Sequence, residues 1–381
     1  MFYEVFPGLL MFKVPPLFVY AATAFSLSTF ASAQEETLDM FGDDSPEFSL
    51  RIFGDLGIKG DSKADHGTAD FDFGSLDFVI SGSMGERLTF FSESLIEGEH
   101  ADEIFFDQER AWVKWNEGDA CYLQLGMDNS VISRWNRLYN HGRWLETTIK
   151  RPYLATFEDQ GGVLPMHFQG LEVGGLLSPE AGDLEWVTII SNGRGPDVED
   201  RQRVHDDNNS KSFSASLTFT PSSLEELTFG AAALTDIIPA DETSAVRNGS
   251  ISEQIYDTYF TWYGDRFEWM GEYAWVIHHD GVSGTNYSHR FAYLQLAMPM
   301  DDWTPYTRFD VKVMGENDPY FVPVNQDLDE WQQIVGIRHE LTAGSAIKFE
   351  LGFGHGQNRD NVGAVSTDDF ISAALQISWT F

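Results

Sequence analysis

Apolar and polar residues alternate along most of the chain between residue 49 and the C-terminus. In the last segment, every odd-numbered residue from Ile371 to Phe381 is apolar, and the residues from Ser372 to Thr380 between them are small or polar. A period of two is typical of a β-strand, because successive side chains point to opposite faces. The chain is therefore predicted to be all-β, with sixteen strands at 49–60, 71–84, 87–97, 105–116, 120–128, 167–178, 184–193, 210–220, 226–236, 252–263, 267–278, 288–298, 303–313, 328–341, 346–355 and 370–381.

The joints between these segments alternate strictly between short and long. Tight turns such as 85–86 and 264–266 are each followed by a longer joint, such as 98–104 or 279–287. Outer-membrane barrels have short periplasmic turns and longer external loops, whereas a soluble sandwich has no reason to keep this alternation. An even strand number also lets the first strand pair with the last. We predict a transmembrane antiparallel β-barrel over residues 49–381.

Aromatic residues lie where a membrane interface favours amphipathic rings, near the turns predicted to be periplasmic. They include Trp115, Phe267, Trp269 and Trp303. The chain ends at Phe381 with Trp379 two residues before it, which resembles the C-terminal signal of bacterial outer-membrane barrels. We therefore predict that Trp379 and Phe381 direct the chain to the outer membrane.

The N-terminus carries an export signal. An apolar stretch from Val14 to Phe30 is followed by Ala31-Ser32-Ala33, and signal peptidase reads small residues at these positions. We predict a signal peptide at 1–33, export through the Sec pathway, and a periplasmic segment at 34–48. Met11 is an alternative start, because Glu4 precedes Lys13, the first basic residue, in the longer form.

Charge and motifs exclude several classes of protein. The chain has 60 acidic against 24 basic residues, a net charge of −36, so nucleic acid is not an expected partner. Its one cysteine, Cys121, rules out an internal disulfide. The sequence has no GxSxG, HExxH or phosphate-binding glycine loop, so we expect neither an enzyme nor a cofactor.

Charged residues of both signs are predicted to face the inside of the barrel. Sixteen strands enclose a lumen too wide to be filled by the wall's own side chains, so water is expected there. Facing charges would set a field that selects ions, although any of them could instead pair with another to hold the wall. The predicted lumen residues are Arg51, Asp55, Lys59, Arg110, Lys114, Glu172, Glu268, Glu272, Arg308, Asp310, Lys312, Arg338, Glu340 and Lys348.

The joint 129–166 is by far the longest, and a compact fold does not need it as a simple connection. It is locally basic, with Glu146 the only acid between residues 134 and 151. One hypothesis is that this loop folds into the barrel, narrows the pore and places guanidinium groups where anions pass. Arginine suits this role because its guanidinium group can form two hydrogen bonds with a carboxylate or a phosphate. The alternative is an outward loop that packs on itself or contacts lipid phosphates. The candidate constriction residues are Arg134, Arg137, Arg143, Lys150 and Arg151.

A family resemblance is carried by residues 140–195. The segments His141–Pro152 and Phe157–His167, followed by Ser191-Asn-Gly-Arg-Gly195, resemble a pattern in uncharacterised porin-like proteins of Gram-negative bacteria. Those proteins are similar in architecture to the phosphate-selective porin group. Over the rest of the barrel, the resemblance is limited to the arrangement of strands and turns.

Two sets of residues are candidate metal ligands. Hard oxygen ligands crowd the joint 194–209 and could hold calcium, but their spacing matches no EF-hand and a solvated acidic loop explains them. His278-His279 stands at a strand end without an evident third ligand. We therefore predict no metal site.

The pattern as a whole predicts a diffusion porin for small hydrophilic solutes or ions. It would lie in outer-membrane lipid and lipopolysaccharide as a homotrimer, by analogy with other sixteen-stranded porins. The alternative is a structural or interaction barrel plugged by its long loop, serving as an adhesin or as the sheath of a larger complex.

Overall fold

The structure is a computed structural model, and it describes residues 47–62, 69–99, 103–139, 142–199, 205–241, 249–322, 328–359 and 365–381. The predicted signal peptide and the alternative start at Met11 lie outside the described residues. The first strand begins at Glu47, so the last two residues of the predicted periplasmic segment belong to the barrel wall.

All sixteen predicted strands are present, and they form one closed antiparallel barrel in which every strand pairs with its neighbours in sequence. Several strands extend further than predicted at the end where the long loops lie. The strands are β1 Glu47–Asp61, β2 Ala69–Met84, β3 Leu88–Glu99, β4 Glu103–Asn116, β5 Tyr122–Asn129, β6 His167–Leu177, β7 Gly182–Asn192, β8 Lys211–Pro221, β9 Leu227–Ile238, β10 Ile251–Tyr263, β11 Glu268–Asp280, β12 Asn286–Ala297, β13 Trp303–Val313, β14 Glu330–Thr342, β15 Ser345–Arg359 and β16 Val365–Thr380.

The barrel closes between β1 and β16. The amide of Ile52 donates to the carbonyl oxygen of Phe381 at 2.8 Å, and the amide of Phe381 donates back to Ile52 at 3.0 Å. The pairing continues along the strands from Phe53 opposite Thr380 to Asp61 opposite Ser372. Because the first and last strands satisfy each other, the sheet has no open edge.

The outward face of the barrel is apolar and exposed. Leu50 is 50% exposed, Leu375 41% and Phe353 45%, and similar residues recur around the barrel. Burying apolar surface contributes about 25 cal/mol per Å², so a water-soluble fold would not leave such a belt uncovered. This is the surface expected of a barrel in a bilayer. No helix in the described part of the chain is long and apolar enough to cross a membrane.

Aromatic rings mark the short-turn rim, the end of the barrel where the tight turns lie. Trp115, Trp303 and Phe381 are all substantially exposed there. Trp379 lies across the seam, with its ring over Gly54 in the paired strand β1. A Cβ atom at Gly54 would meet that ring at 2.5 Å, which explains why a glycine stands at this position.

The core of the molecule lies inside the barrel. Inward apolar residues of the wall, including Ile189, Ile255 and Phe291, pack against residues such as Trp135 and Leu154 from the segment that joins β5 to β6. The lumen over β7 and β9–β12 is therefore partly filled by packed side chains. The alternating pattern did not predict this, because a period of two identifies the two faces but not what covers each one.

Candidate pore lining and its crossing loop

The segment between β5 and β6, residues 130–166, is called the inner loop here. β5 has eight residues and is the shortest strand, so the chain leaves the wall early. The described residues of the inner loop form one helix, α1 (Arg134–Tyr139), and two short 3-10 turns at Tyr153–Ala155 and Glu158–Gln160. Its contacts with inward side chains on several sides of the barrel place it inside the wall.

The first attachment holds the start of α1 against β10 and β11. The carboxylate of Glu272 accepts hydrogen bonds from the amides of Arg134 at 2.8 Å and Trp135 at 3.2 Å. Asp257 accepts one from the amide of Ser133 at 3.2 Å. The first amides of a helix have no partner within the helix, so these buried carboxylates satisfy groups that would otherwise be orphaned.

The second attachment is Arg308 on β13, whose side chain is fully buried. Its guanidinium donates to the hydroxyl of Thr148 at 2.9 Å and to the carbonyl oxygens of Lys150 at 2.7 Å and Arg151 at 2.9 Å. Asp310 accepts from Nε of Arg308 at 3.0 Å. A buried charge is tolerated only with such complete pairing, so Arg308 fixes the course of residues 148–151.

The third attachment comes from β14 and β15. Arg338 donates to the carbonyl oxygen of Glu146 at 2.8 Å. The Nζ atom of Lys348 donates to the carbonyl oxygen of Thr148 at 3.3 Å, and Glu350 accepts from the amide of Ile149 at 2.9 Å. Together with Glu272 and Arg308, these contacts tie the inner loop to opposite parts of the wall. Of these wall residues, Glu272, Arg308, Arg338 and Lys348 were predicted to line the lumen.

The basic residues of the inner loop are mostly paired with acids. Arg137 contacts Glu172 on β6 at 3.0 Å, and Arg143 contacts Glu146 at 3.1 Å. Arg151 instead stacks on the ring of Phe157, with 3.8 Å between its Cζ atom and the ring centroid. The predicted cluster of five is therefore divided among different surroundings. The remaining two are Arg134, 3.7 Å from Glu185, and Lys150, 3.6 Å from Asp61.

Burial and neighbouring charge act differently on these arginines. Burial lowers the pKa of Arg137, but the charges of Glu172 and Asp128 outweigh it and the pKa is raised. For Arg151, burial and the nearby charge of Arg143 lower the pKa to about 9. Both guanidinium groups therefore stay charged at neutral pH, and Arg151 is the less stabilised cation.

Comparison with known proteins identifies the architecture. No family model matches the sequence, and no curated protein matches it either. Solved structures do match. The anion-selective porin from Comamonas acidovorans aligns with a TM-score of 0.61 and 11% identity over 88% of this chain and 100% of its own. The chain has the fold of the outer-membrane porins.

Two other solved structures agree in fold. The outer membrane channel DcaP of Acinetobacter baumannii aligns with a TM-score of 0.60 and 10% identity, over 88% of this chain and 97% of its own. OmpF of Salmonella typhi, in a complex with daunomycin, aligns with a TM-score of 0.60 and 12% identity, over 89% of this chain and 99% of its own.

Other inward charges of this porin fold lie outside the loop attachments. Arg110 pairs with Glu93 at 2.5 Å, and Lys59 pairs with Asp72 at 2.9 Å. Lys114 lies over the ring of Tyr122, 4.2 Å from its centroid. Three further predicted lumen residues are Arg51, which is exposed on β1, Glu268, which is half-buried on β11, and Lys312, whose Nζ atom lies 6.0 Å from the ring centroid of Tyr153.

Solvent reaches charged groups inside the wall. The side chain of Glu185 points inward from β7 and is 46% exposed, and its partner Arg134 on the inner loop is 22% exposed. A cavity of about 550 Å³ opens at the short-turn rim, lined in part by Trp144, Arg338 and Glu340. The interior is thus closely packed over part of β7 and β9–β12, and open to solvent at Glu185 and Arg134.

Arg194 is one of the loop attachments that the sequence analysis missed. Arg194, within the Ser191–Gly195 motif, is buried and donates to the carbonyl oxygen of Val163, and it contacts Glu253 at 3.2 Å. Burial lowers the pKa of Arg194, but the charges of Glu253 and Tyr320 raise it by more than burial lowers it. The guanidinium of Arg194 is therefore a stable cation. The position of Arg194 in the Ser191–Gly195 motif is the sequence signal that could have identified it. The motif joins the loop after β7 to the inner loop.

Proposed function

We propose that this chain is an outer-membrane porin, a water-filled channel for passive diffusion of small hydrophilic solutes or ions. The observation that carries the proposal is the pair of Glu185 and Arg134. Both lie inside a closed barrel, 3.7 Å apart, and both are reached by solvent. Sixteen strands enclose more space than the wall side chains fill, which supports water at this position.

The inner loop is the constriction in this proposal. It is attached at Glu272, at Arg308 and along β14–β15, so it stays across the lumen rather than swinging out. The charges beside the open space have both signs, with Arg134 and Lys150 facing Glu185 and Asp61. Such facing charges set a transverse field, which would order polar solutes and favour small ones over bulky ones.

The location and assembly belong to the same proposal. An exposed apolar belt and an aromatic rim favour contact with outer-membrane lipid and lipopolysaccharide, after export through the Sec pathway. Trp379 and Phe381 would be the assembly signal, and a homotrimer is the assembly we propose. The resemblance of residues 140–195 to uncharacterised porin-like proteins of Gram-negative bacteria stays a prediction.

Liposome swelling tests the proposal. Full-length protein folded into vesicles is transferred into isotonic solutions of neutral sugars of increasing size. We expect fast swelling with the smallest sugar and a steady fall in rate with size, because a fixed constriction sieves by size. Vesicles that contain folded barrel but swell no faster than empty ones would contradict the porin, and would favour the non-conducting structural or interaction barrel.

A further inference from the structure

A cluster of two histidines and an aspartate lies near the long-loop end of the barrel, beside Glu253, the residue that pairs with the loop attachment Arg194. His278 is on β11, His289 on the neighbouring strand β12, and Asp318 on the loop between β13 and β14. All three side chains are buried, and one ligand atom of each lies within 4.8 Å of the others. Oδ2 of Asp318 is 2.7 Å from Nδ1 of His278 and 2.8 Å from Nε2 of His289.

The residue types fit a transition metal rather than calcium or magnesium. Two imidazoles and one carboxylate are a ligand set that zinc and copper use, whereas calcium and magnesium prefer oxygen alone. The second nitrogen of His278, Nε2, lies 3.0 Å from Oε1 of Glu253. A carboxylate on the far nitrogen of a histidine is the usual outer partner of a metal ligand, because it fixes the orientation of the ring and raises its basicity.

Aromatic rings cover the cluster. The ring of Phe321 stacks on His278 with 5.1 Å between centroids and meets His289 edge-on at 5.0 Å. Tyr320 lies 5.8 Å from His278. These rings come from the same loop as Asp318, so the loop supplies both a ligand and an apolar cover. Apolar rings of this kind limit the access of solvent to the three side chains.

We propose that His278, His289 and Asp318 bind a divalent transition-metal ion of the zinc class. The ion would join β11, β12 and the loop that follows β13, and so pin that loop to the wall. The proposal is independent of conduction.

Binding requires a small rearrangement that the contacts define. Nδ1 of His289 accepts a hydrogen bond from the amide of Gly315 at 3.1 Å, so a proton on Nε2 bridges to Asp318. The metal replaces the protons that bridge the two imidazoles to Asp318, and these protons leave to solvent. Nδ1 of His289 takes up one proton from solvent in return, so the hydrogen bond from the amide of Gly315 is lost and one proton is released in total.

Equilibrium dialysis with Zn²⁺ tests the site. Full-length protein in detergent is stripped with a chelator, dialysed against zinc, and assayed for bound metal. We expect the wild-type protein to bind one zinc ion per chain. We expect His289→Gln and Asp318→Asn each to lower the zinc affinity by at least about tenfold, which is the smallest loss typical even of residues that only contact a metal ligand. His279→Gln is the matched control, since His279 is the next residue along the chain but is exposed and bonded to Asn286 at 2.8 Å.

Two outcomes would overturn the site: wild-type protein that retains no zinc, or His289→Gln that binds as tightly as His279→Gln. Folding of each variant is checked by the difference in electrophoretic mobility between heated and unheated samples. Should the variants fail to fold, the absorption spectrum of Co²⁺ bound to the wild-type protein tests the site without them. We expect a visible absorption band typical of cobalt in a low-coordinate nitrogen and oxygen site, and the spectrum of hydrated cobalt would contradict the proposal.

Discussion

The guanidinium of Arg308 donates to the carbonyl oxygen of Arg151 across 2.9 Å, and so joins the wall strand β13 to the inner loop. The sequence placed Arg308 in the lumen, either to select ions or to hold the wall, and placed Arg151 among the candidate constriction residues. In the structure, Arg308 holds the backbone of Arg151 in place, and the charge of Arg308 is paired with that of Asp310. Part of the charge inside this barrel therefore shapes the constriction rather than meeting solute.

Replacement of Arg308 tests this role. In Arg308→Met, the carbonyl oxygens of Lys150 and Arg151 lose a charged donor and Asp310 is left uncompensated. Breaking a buried ion pair from one side costs about 3–5 kcal/mol. We expect a lower unfolding midpoint and faster proteolysis within the inner loop of folded protein.

Lys312→Met is the control for this variant. Lys312 is four residues further along the same strand and its Nζ atom lies 6.0 Å from the ring centroid of Tyr153, whereas Arg308 donates directly to residues 148–151. Its replacement should leave the inner loop resistant to protease. Equal protease sensitivity in the two variants would show that Arg308 has no special part in holding the loop.

Ion preference should depend on Arg134. In Arg134→Gln the wet interior loses a positive charge 3.7 Å from Glu185 and keeps the negative one. We therefore expect the reversal potential under a salt gradient to shift towards cation preference. The triple replacement of Arg134, Arg137 and Arg143 by glutamine should shift it further.

Arg87→Gln controls for the change in net charge. Arg87 pairs with Glu117 at 3.0 Å in the turns of the short-turn rim, and both side chains are more than half exposed. Its removal changes the charge of the chain equally but outside the constriction. If the triple variant has the same ion preference and conductance as the wild type, the inner loop is not the constriction.

The pairing of β1 with β16 should be sensitive to the size of the side chain at residue 54. A Cβ atom there lies 2.5 Å from the ring of Trp379, so Gly54→Val forces the ring away from β1. Overpacking of this kind costs about 1–3 kcal/mol, and we expect a smaller fraction of heat-modifiable, folded barrel. Adding Trp379→Ala removes the clash and should restore folding. A Gly54→Val single variant that folds like the wild type would show that the seam accommodates a side chain at residue 54 and would contradict this prediction.

The fold was predictable because its signals are local. The alternation from Ile371 to Phe381 is a property of one strand, and the length of each turn is a property of one joint, so together they gave the strands and the barrel. Contacts inside the barrel are not local. Arg308 meets residues more than 150 positions earlier in the chain, and nothing in the alternation of β13 says which partner its inward face will find.

The same limit hid the histidine cluster. His278 was visible as a candidate ligand, but its partner Asp318 lies 40 residues away on a loop, and the neighbour of His278 in sequence, His279, points elsewhere. The apolar lining of β9–β12 was hidden for a related reason. Apolar residues such as Ile255 are not expected to face a water-filled lumen, and their position is explained only by the inner loop that covers them.

Single-channel recording in a planar bilayer tests the central claim most directly. Protein is first shown to be folded by its heat-modifiable mobility and is then added to the bilayer at low concentration. A water-filled barrel narrowed by a fixed loop predicts discrete, long-lived current steps that rise in proportion to voltage and to salt concentration. Folded protein that inserts into the bilayer and carries no current at any voltage would contradict the account.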